Sequence, residues 1–159
     1  MDNKEPLTVE GRKKIQDELD HLIKVEREEI KAKIQEAREL GDLKENAEYH
    51  SAKEKQAHIE GRIGQLQGTV ANCEVIDVAQ VKDLSRIVFG ATVDLFDVEK
   101  ETKVTYKIVG HEESDNRCGK VSYRSPLARA LIGKEVGDTV LVQAPKGEIE
   151  YEVESIEYK

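Results

Sequence analysis

Apolar positions recur in steps of three and four through the first half of the chain. Between residues 49 and 73 they fall at Tyr49, Ala52, Gln56, Ile59, Ile63, Leu66, Val70 and Cys73, a heptad seam with one polar break at Gln56. Upstream, Ile15, Leu19 and Leu22 form a first seam that continues as Ile23, Ile30, Ile34 and Ala37 after a one-residue slip of register. No proline interrupts residues 9–75, and Thr8 has the side chain of a helix N-cap. Between the two seams stands Gly41-Asp42-Leu43. A glycine just past a helical run enters the left-handed region without a Cβ penalty and so stops the helix. Asp42 then suits the N-cap of the next helix, with Glu45 at N3. The pattern predicts an antiparallel two-helix hairpin over residues 1–76, each arm about 30 residues and roughly 45 Å long at 1.5 Å per residue. A single long helix and a dimeric coiled coil are the alternatives, and Gly41 with the change of register favours the hairpin.

From residue 87 the period drops to two. Ile87 to Phe96 reads as a bent strand or strand pair around Gly90, and Lys103 to Val109 as a half-buried strand. A polar turn over Glu112 to Asn116 leads to a strand over Gly119 to Tyr123. Pro126, following Ser125, opens a short helix that ends near Leu131 before Gly133. Strands over Thr139 to Val142 and Ile149 to Ile156 flank the turn Ala144-Pro145-Lys146-Gly147. The expectation for 87–159 is a small, mostly antiparallel sheet domain with one short helix. Residues 77–86, with Asp83 and Ser85, serve as linker, and the chain as a whole is of the α+β class.

Composition agrees with a thin solvated element joined to a compact one. Of 159 residues, 36% are charged and 38% hydrophobic, too polar for one large core and too rich in patterned Ile, Val and Leu for disorder. The 25 basic and 33 acidic residues leave a net charge of −8, and both halves are acidic. A bulk electrostatic grip on nucleic acid is therefore disfavoured, so any such role needs a local patch or a partner protein. No apolar run approaches a membrane span and no signal-peptide pattern is present, so a cytoplasmic location is expected. Cys73 and Cys118 lie far apart without a CxxC or a histidine cluster, and two free thiols are expected.

The chemistry concentrates in Gly41-Asp42-Leu43-Lys44-Glu45-Asn46-Ala47-Glu48-Tyr49, at the end of the hairpin. From spacing alone, Asp42-x-x-Glu45 is a capping box that satisfies orphan amides and need do nothing else. Alternatively the two carboxylates share a divalent cation: hard oxygen donors suit Mg²⁺, which keeps several waters and takes one or two protein carboxylates. Two acids are an incomplete site, so such a tip works only inside another molecule's pocket. Arg38, Lys44, Lys53 and Lys55 lie near the tip, where a solvated charged helix face is the ordinary reading. Gly133-Lys134-x-x-Gly137-Asp138 lacks the spacing of a phosphate loop, and the four histidines fall in no ligand pattern.

The tip motif, followed by Val75-Ile76-Asp77, Phe89-Gly90-Ala91-Thr92-Val93, Ser125-Pro126-Leu127-Ala128-Arg129-Ala130-Leu131-Ile132-Gly133-Lys134 and Gly137-Asp138, resembles the bacterial Gre transcript cleavage factors over nearly the whole chain. The resemblance implies an N-terminal antiparallel coiled coil and a C-terminal FKBP-like domain. It implies a protein that is not itself an enzyme, acts as a monomer, and inserts its coiled coil into the secondary channel of RNA polymerase. Asp42 and Glu45 match the tip acids that hold a weakly bound Mg²⁺ of the polymerase and orient a water. No cofactor is then held stably by the factor alone, and the polymerase hydrolyses the extruded 3′ end of its backtracked nascent RNA. Arg38 and Lys53 match a basic patch toward that RNA. Ser125, Pro126, Leu127 and Ala128 match a docking edge for the polymerase largest subunit. Three other roles compete with this reading: a channel-binding relative that inhibits transcription, a prolyl isomerase suggested by the FKBP-like domain, and a chaperone-type hairpin. The retained pair Asp42 and Glu45 disfavours the first, a shortage of aromatics the second, and the acidic tip the third.

Overall fold

A computed structural model describes residues 4–81 and 84–159, and the chain divides into two compact units. One is Lys13–Asn72. The other joins the segment up to Arg12 to Cys73–Lys159. The hairpin predicted over 1–76 is thus narrower than expected, because both of its ends belong to the sheet unit. The cause is a short parallel strand pair: β1 (Glu5–Thr8) runs beside β2 (Cys73–Ile76), with Leu7 opposite Val75. Cys73, expected to close the helical seam, is therefore a strand residue. Both thiols are free, Cys73 half-buried and Cys118 exposed.

The first arm starts at α1 (Val9–His21), where the Gly11 amide donates to the Thr8 hydroxyl at 3.0 Å, the predicted cap. It continues through a π-helical turn, Leu22–Glu26, into α2 (Arg27–Glu39). Buried side chains run Ile15, Leu19, Leu22, Ile30, Ile34 and Ala37. Leu22 and Ile30 are eight positions apart instead of seven, and the wide turn between them absorbs the extra residue. The predicted slip of register is this π turn. Facing it, α3 (Ala47–Ala71) buries Ala52, Ile59, Ile63 and Leu66 and half-buries Tyr49, Gln56 and Val70, as the heptad predicted. Two ion pairs cross the seam: Arg62 with Glu18 at 2.9 Å and Arg27 with Glu60 at 3.0 Å. Both are largely exposed and each contributes well under about 1 kcal/mol. Burial along the seam holds the helices together.

In the other unit, five strands take the order β5-β4-β3-β7-β6: β3 (Thr92–Asp97), β4 (Thr102–Val109), β5 (Lys120–Ser122), β6 (Thr139–Ala144) and β7 (Gly147–Glu157). All neighbours are antiparallel except β4 and β5. Strict alternation along β3 buries Val93, Leu95 and Asp97, and a bulge at Asp94/Leu95 shifts its pairing with β7. The short helix α4 (Pro126–Leu131) packs Ala128 and Leu131 onto this face, closing a core with Ile87, Ile108, Val140 and Val153. The bent strand expected from Ile87 is instead a turn before β3, with Gly90 at φ +90°. Of the linker, Asp77 caps a 3-10 turn at Val78–Gln80, whereas Asp83 lies outside the described residues.

Side chains fasten β1 to the rest of its unit. The Glu113 carboxylate accepts from the Thr8 amide, the Thr8 hydroxyl and, at 2.6 Å, the Gly110 amide. Glu5 accepts from the Tyr123 hydroxyl at 2.7 Å and pairs with Arg124, whose guanidinium lies 5.6 Å from the Tyr123 ring centre. These long-range bonds explain how a four-residue strand keeps its place. Such strands are too short to show periodicity in sequence.

Candidate functional site

The first arm ends as predicted. Leu40 closes α2, and Gly41 follows at φ +118°, a conformation open to glycine. The second arm does not begin as predicted. Its N-cap is Asn46, whose side-chain oxygen accepts from the Tyr49 amide at 3.0 Å. Asp42 caps no helix. Its Oδ1 accepts from the Lys44 amide at 3.0 Å in a local turn, and Glu45 makes no hydrogen bond or ion pair among the described residues. The capping-box reading of Asp42-x-x-Glu45 is therefore corrected. Asparagine caps as well as aspartate does, and this one also reaches the opposite arm, which Asp42 does not. Relieved of capping, Asp42 and Glu45 both stand exposed in a five-residue turn at the hairpin end.

Asn46 does a second thing. Its amide nitrogen donates to the Ala37 carbonyl at 2.6 Å, in the last turn of α2, where that carbonyl also accepts from the Leu40 amide at 3.2 Å. His50 adds another tie: its Nε2 lies 3.1 Å from the Lys44 carbonyl, and since a carbonyl only accepts, that nitrogen carries the proton. Neither residue was singled out from sequence. Asn46 was findable, because Asn-Ala-Glu-Tyr is a good helix start, but Asp42 masked it with a better-looking box. The His50 contact arises from the path of the turn and left no sequence signal.

The basic residues sort onto two flanks. Arg38 and Lys53 each follow a core residue, Ala37 and Ala52, and so share one flank of the antiparallel pair. Arg38 lies 5.9 Å from the Tyr49 ring centre, and Lys53 reaches the Gln56 amide oxygen at 3.3 Å. Lys33 and Lys55 lie on the other flank, where with Ala37, Ala52 and Ser51 they line a cavity of about 490 Å³ left by small residues in the seam.

In the sheet unit, Ser125 caps α4 through the Ala128 amide at 3.2 Å, and Pro126 takes its first position. Ser125, Pro126 and Leu127 reach the rim of a cavity of about 640 Å³ whose apolar lining includes Val142, Ile149 and Tyr151. Burial pushes the Tyr151 phenol above its ordinary pKa, so it stays neutral. Ala128 is the exception among the four proposed docking residues. It is fully buried in the core, so it is corrected from a docking contact to a packing residue. No group of three or more His, Cys, Asp or Glu side chains is assembled among the described residues, and no described helix is long and apolar enough to cross a membrane.

The class of protein to which a charged hairpin with an acidic end and a sheet domain belong is given by comparison with known proteins. Residues 5–75 match the family described as "Transcription elongation factor, N-terminal", and residues 82–158 match "Transcription elongation factor, GreA/GreB, C-term". The chain belongs to the GreA/GreB family of transcription elongation factors. It is 54% identical to "Transcription elongation factor GreA" of Alkalilimnicola ehrlichii over 98% of this chain and 99% of the relative. With the GreA of Pseudomonas aeruginosa it shares 48% identity over 98% of this chain and 99% of that one. The solved structure of GreA factor homolog 1 (Gfh1) of Thermus thermophilus aligns with a TM-score of 0.45 at 25% identity, covering 98% of this chain and 99% of that one.

Proposed function

We propose that this elongation factor binds RNA polymerase, passes its hairpin into the secondary channel and stimulates hydrolysis of the backtracked transcript's 3′ end in the polymerase active site. The observation that carries the reading is the state of the two tip acids. Asp42 and Glu45 are exposed, outside any ion pair among the described residues, and freed from capping by Asn46. Such carboxylates have lone pairs to give to a partner's metal.

The arms suit delivery. With 25 residues, α3 is about 37 Å long at 1.5 Å per residue, and its only wide buried surface is the seam. When bound, Mg²⁺ would lower the pKa of a coordinated water and offset charge on the scissile phosphate. Asp42 and Glu45 would complete an oxygen donor set that neither molecule fills alone, and one of them would accept a hydrogen bond from the attacking water. Arg38 and Lys53, on one flank behind the turn, are placed to attract phosphates of extruded RNA. Ser125, Pro126 and Leu127, at the mouth of the apolar cavity, form the edge on which a projecting coiled coil of the largest subunit docks. In this reading the factor lends two carboxylates to a metal centre that the polymerase holds, so the hydrolysis belongs to the polymerase.

The test adds the protein to backtracked elongation complexes carrying labelled RNA, with Mg²⁺. The expected result is a shortened transcript that resumes elongation. Unchanged RNA overturns the proposal. In Asp42→Asn and Glu45→Gln, cleavage should fall at least about 100-fold with polymerase binding retained, the scale expected for loss of an electrostatic contact to the transition state. Normal cleavage by both variants would remove the acids from the mechanism.

A further inference from the structure

The turn that carries the two acids is held at both ends by one side chain. Asn46 accepts from the Tyr49 amide at 3.0 Å, opening α3, and donates to the Ala37 carbonyl at 2.6 Å, closing α2. Ala37 also accepts from the Leu40 amide at 3.2 Å, so the last turn of the first arm and the first turn of the second converge on this amide group. Between these anchors the chain runs free of seam contacts: Leu40 to Glu45 are all exposed. Within the turn, Lys44 is fixed from two sides, its amide by Asp42 and its carbonyl by His50. Asp42 and Glu45 are both exposed, so the path of the backbone sets where their carboxylates stand.

From this geometry we infer that Asn46 is a positioning residue for the tip carboxylates, acting through its bridge from the α3 cap to the Ala37 carbonyl, with His50 as a second brace on the Lys44 carbonyl. The inference rests on the reading of Asp42 and Glu45 given above. An N-cap needs only an acceptor, which Ser, Thr and Asp supply as well as Asn. Bridging uses an acceptor and a donor on two separate atoms, Oδ1 toward Tyr49 and Nδ2 toward Ala37. An ionised Asp has no donor, and a Ser or Thr hydroxyl carries both functions on a single oxygen one bond closer to the backbone. The amide group is therefore required for a reason that helix stability does not supply. Misplacement of a ligating carboxylate by about 1 Å costs on the order of tenfold to a hundredfold in rate.

The two functions of Asn46 separate in Asn46→Asp, which keeps the cap and has no donor for the bridge, and in Asn46→Ser, which keeps the cap on a hydroxyl one bond shorter than the Nδ2 that spans to Ala37. Each full-length variant is titrated against backtracked complexes, recording the saturating cleavage rate, the factor concentration at half-saturation and the Mg²⁺ concentration at half-maximal rate. Helicity and melting temperature are measured alongside. The expected result is a saturating rate down by about tenfold in both variants, with unchanged half-saturation by factor and a several-fold higher Mg²⁺ requirement. A residue that merely stabilises the helix would shift melting and leave the Mg²⁺ requirement alone. Wild-type rate and Mg²⁺ dependence in both variants would overturn the inference. Asp42→Asn in the same assay separates the two failures. If it is inactive while Asn46→Asp is normal, only the bracing role falls. If it too is normal, the tip acids are not the working groups and the proposed function falls with it.

Discussion

The two units of this molecule hold themselves together in opposite ways. The hairpin buries a single file of residues, Ile15 to Ala37 on one arm against Ala52 to Leu66 on the other, and leaves nearly everything else to water. The sheet unit buries a three-dimensional cluster in which Ile87, Val93, Leu95, Ile108 and Leu131 are wholly inaccessible. A single file costs few apolar residues per unit length, and so permits a long element with 36% charge in the chain as a whole. It also leaves each seam position with fewer neighbours to compensate for a loss. The lesson is a division of labour: the sheet unit supplies stability, and the hairpin supplies reach and exposed chemistry.

The sharpest break of that comparison is in the cores themselves. Leu95→Ala, at a fully buried site, should cost about 3–5 kcal/mol, whereas Ile34→Ala, beside the loosely filled seam, should cost about 2 kcal/mol. Unfolding followed separately by helical and sheet signals should show each variant lowering mainly its own transition. Equal losses in both signals from either variant would mean that the units unfold together. Next in size is Gly11→Ala. A Cβ there would lie 1.3 Å from the Glu113 carboxylate oxygen, forcing that group off Thr8 and Gly110, at a cost of about 1–3 kcal/mol from unmet donors. Hydrogen exchange at the Thr8 and Gly110 amides should rise by tenfold or more, with α3 amides unaffected.

The smallest effect is electrostatic and lies in the sheet unit. Asp94 accepts from the Thr105 hydroxyl at 2.6 Å and the Ser155 hydroxyl at 2.7 Å, and these bonds lower its pKa below the ordinary carboxylate value of 3.8. A group whose folded pKa is depressed stabilises the fold above its unfolded pKa, and the contribution fades as pH falls through the folded one. Asp94→Asn should therefore lower stability at neutral pH and make little difference at the acid end. Identical destabilisation across that range would assign the effect to shape instead of charge.

How much of this was readable in the residues depended on how far each feature repeats itself. The seam was legible down to the slip at Leu22, because a heptad is sampled many times and a single offset stands out against it. Pro126 to Leu131 was legible since serine, proline and glycine mark its two ends. The β1–β2 pair was not: Glu5 and Cys73 are 68 positions apart, and four residues a side carry no period. At the tip, the place of the two acids at the hairpin end was legible, but their local hydrogen bonding was not. Asp42-x-x-Glu45 and Asn46-x-x-Tyr49 are both acceptable helix starts, and spacing does not say which one also finds a carbonyl across the gap. Tertiary contact decided between two locally equivalent options. The burial of Ala128 is the same lesson, since a short helix has too few residues for its inner face to be read.

The π turn at Leu22–Glu26 has one more consequence. One residue in an α-helix corresponds to about 100° of rotation. The additional residue taken up there clocks everything beyond it, so Arg38 and Gly41 sit at an azimuth set some fifteen positions upstream. A one-residue deletion in that turn would leave composition, charge and the tip motif intact. It would force the first arm either to swing Ile30, Ile34 and Ala37 off the seam or to turn the end of the hairpin about its own axis. At the end of a long arm, aim is a separate variable from reach, and in this chain it is dialled from the middle of the arm.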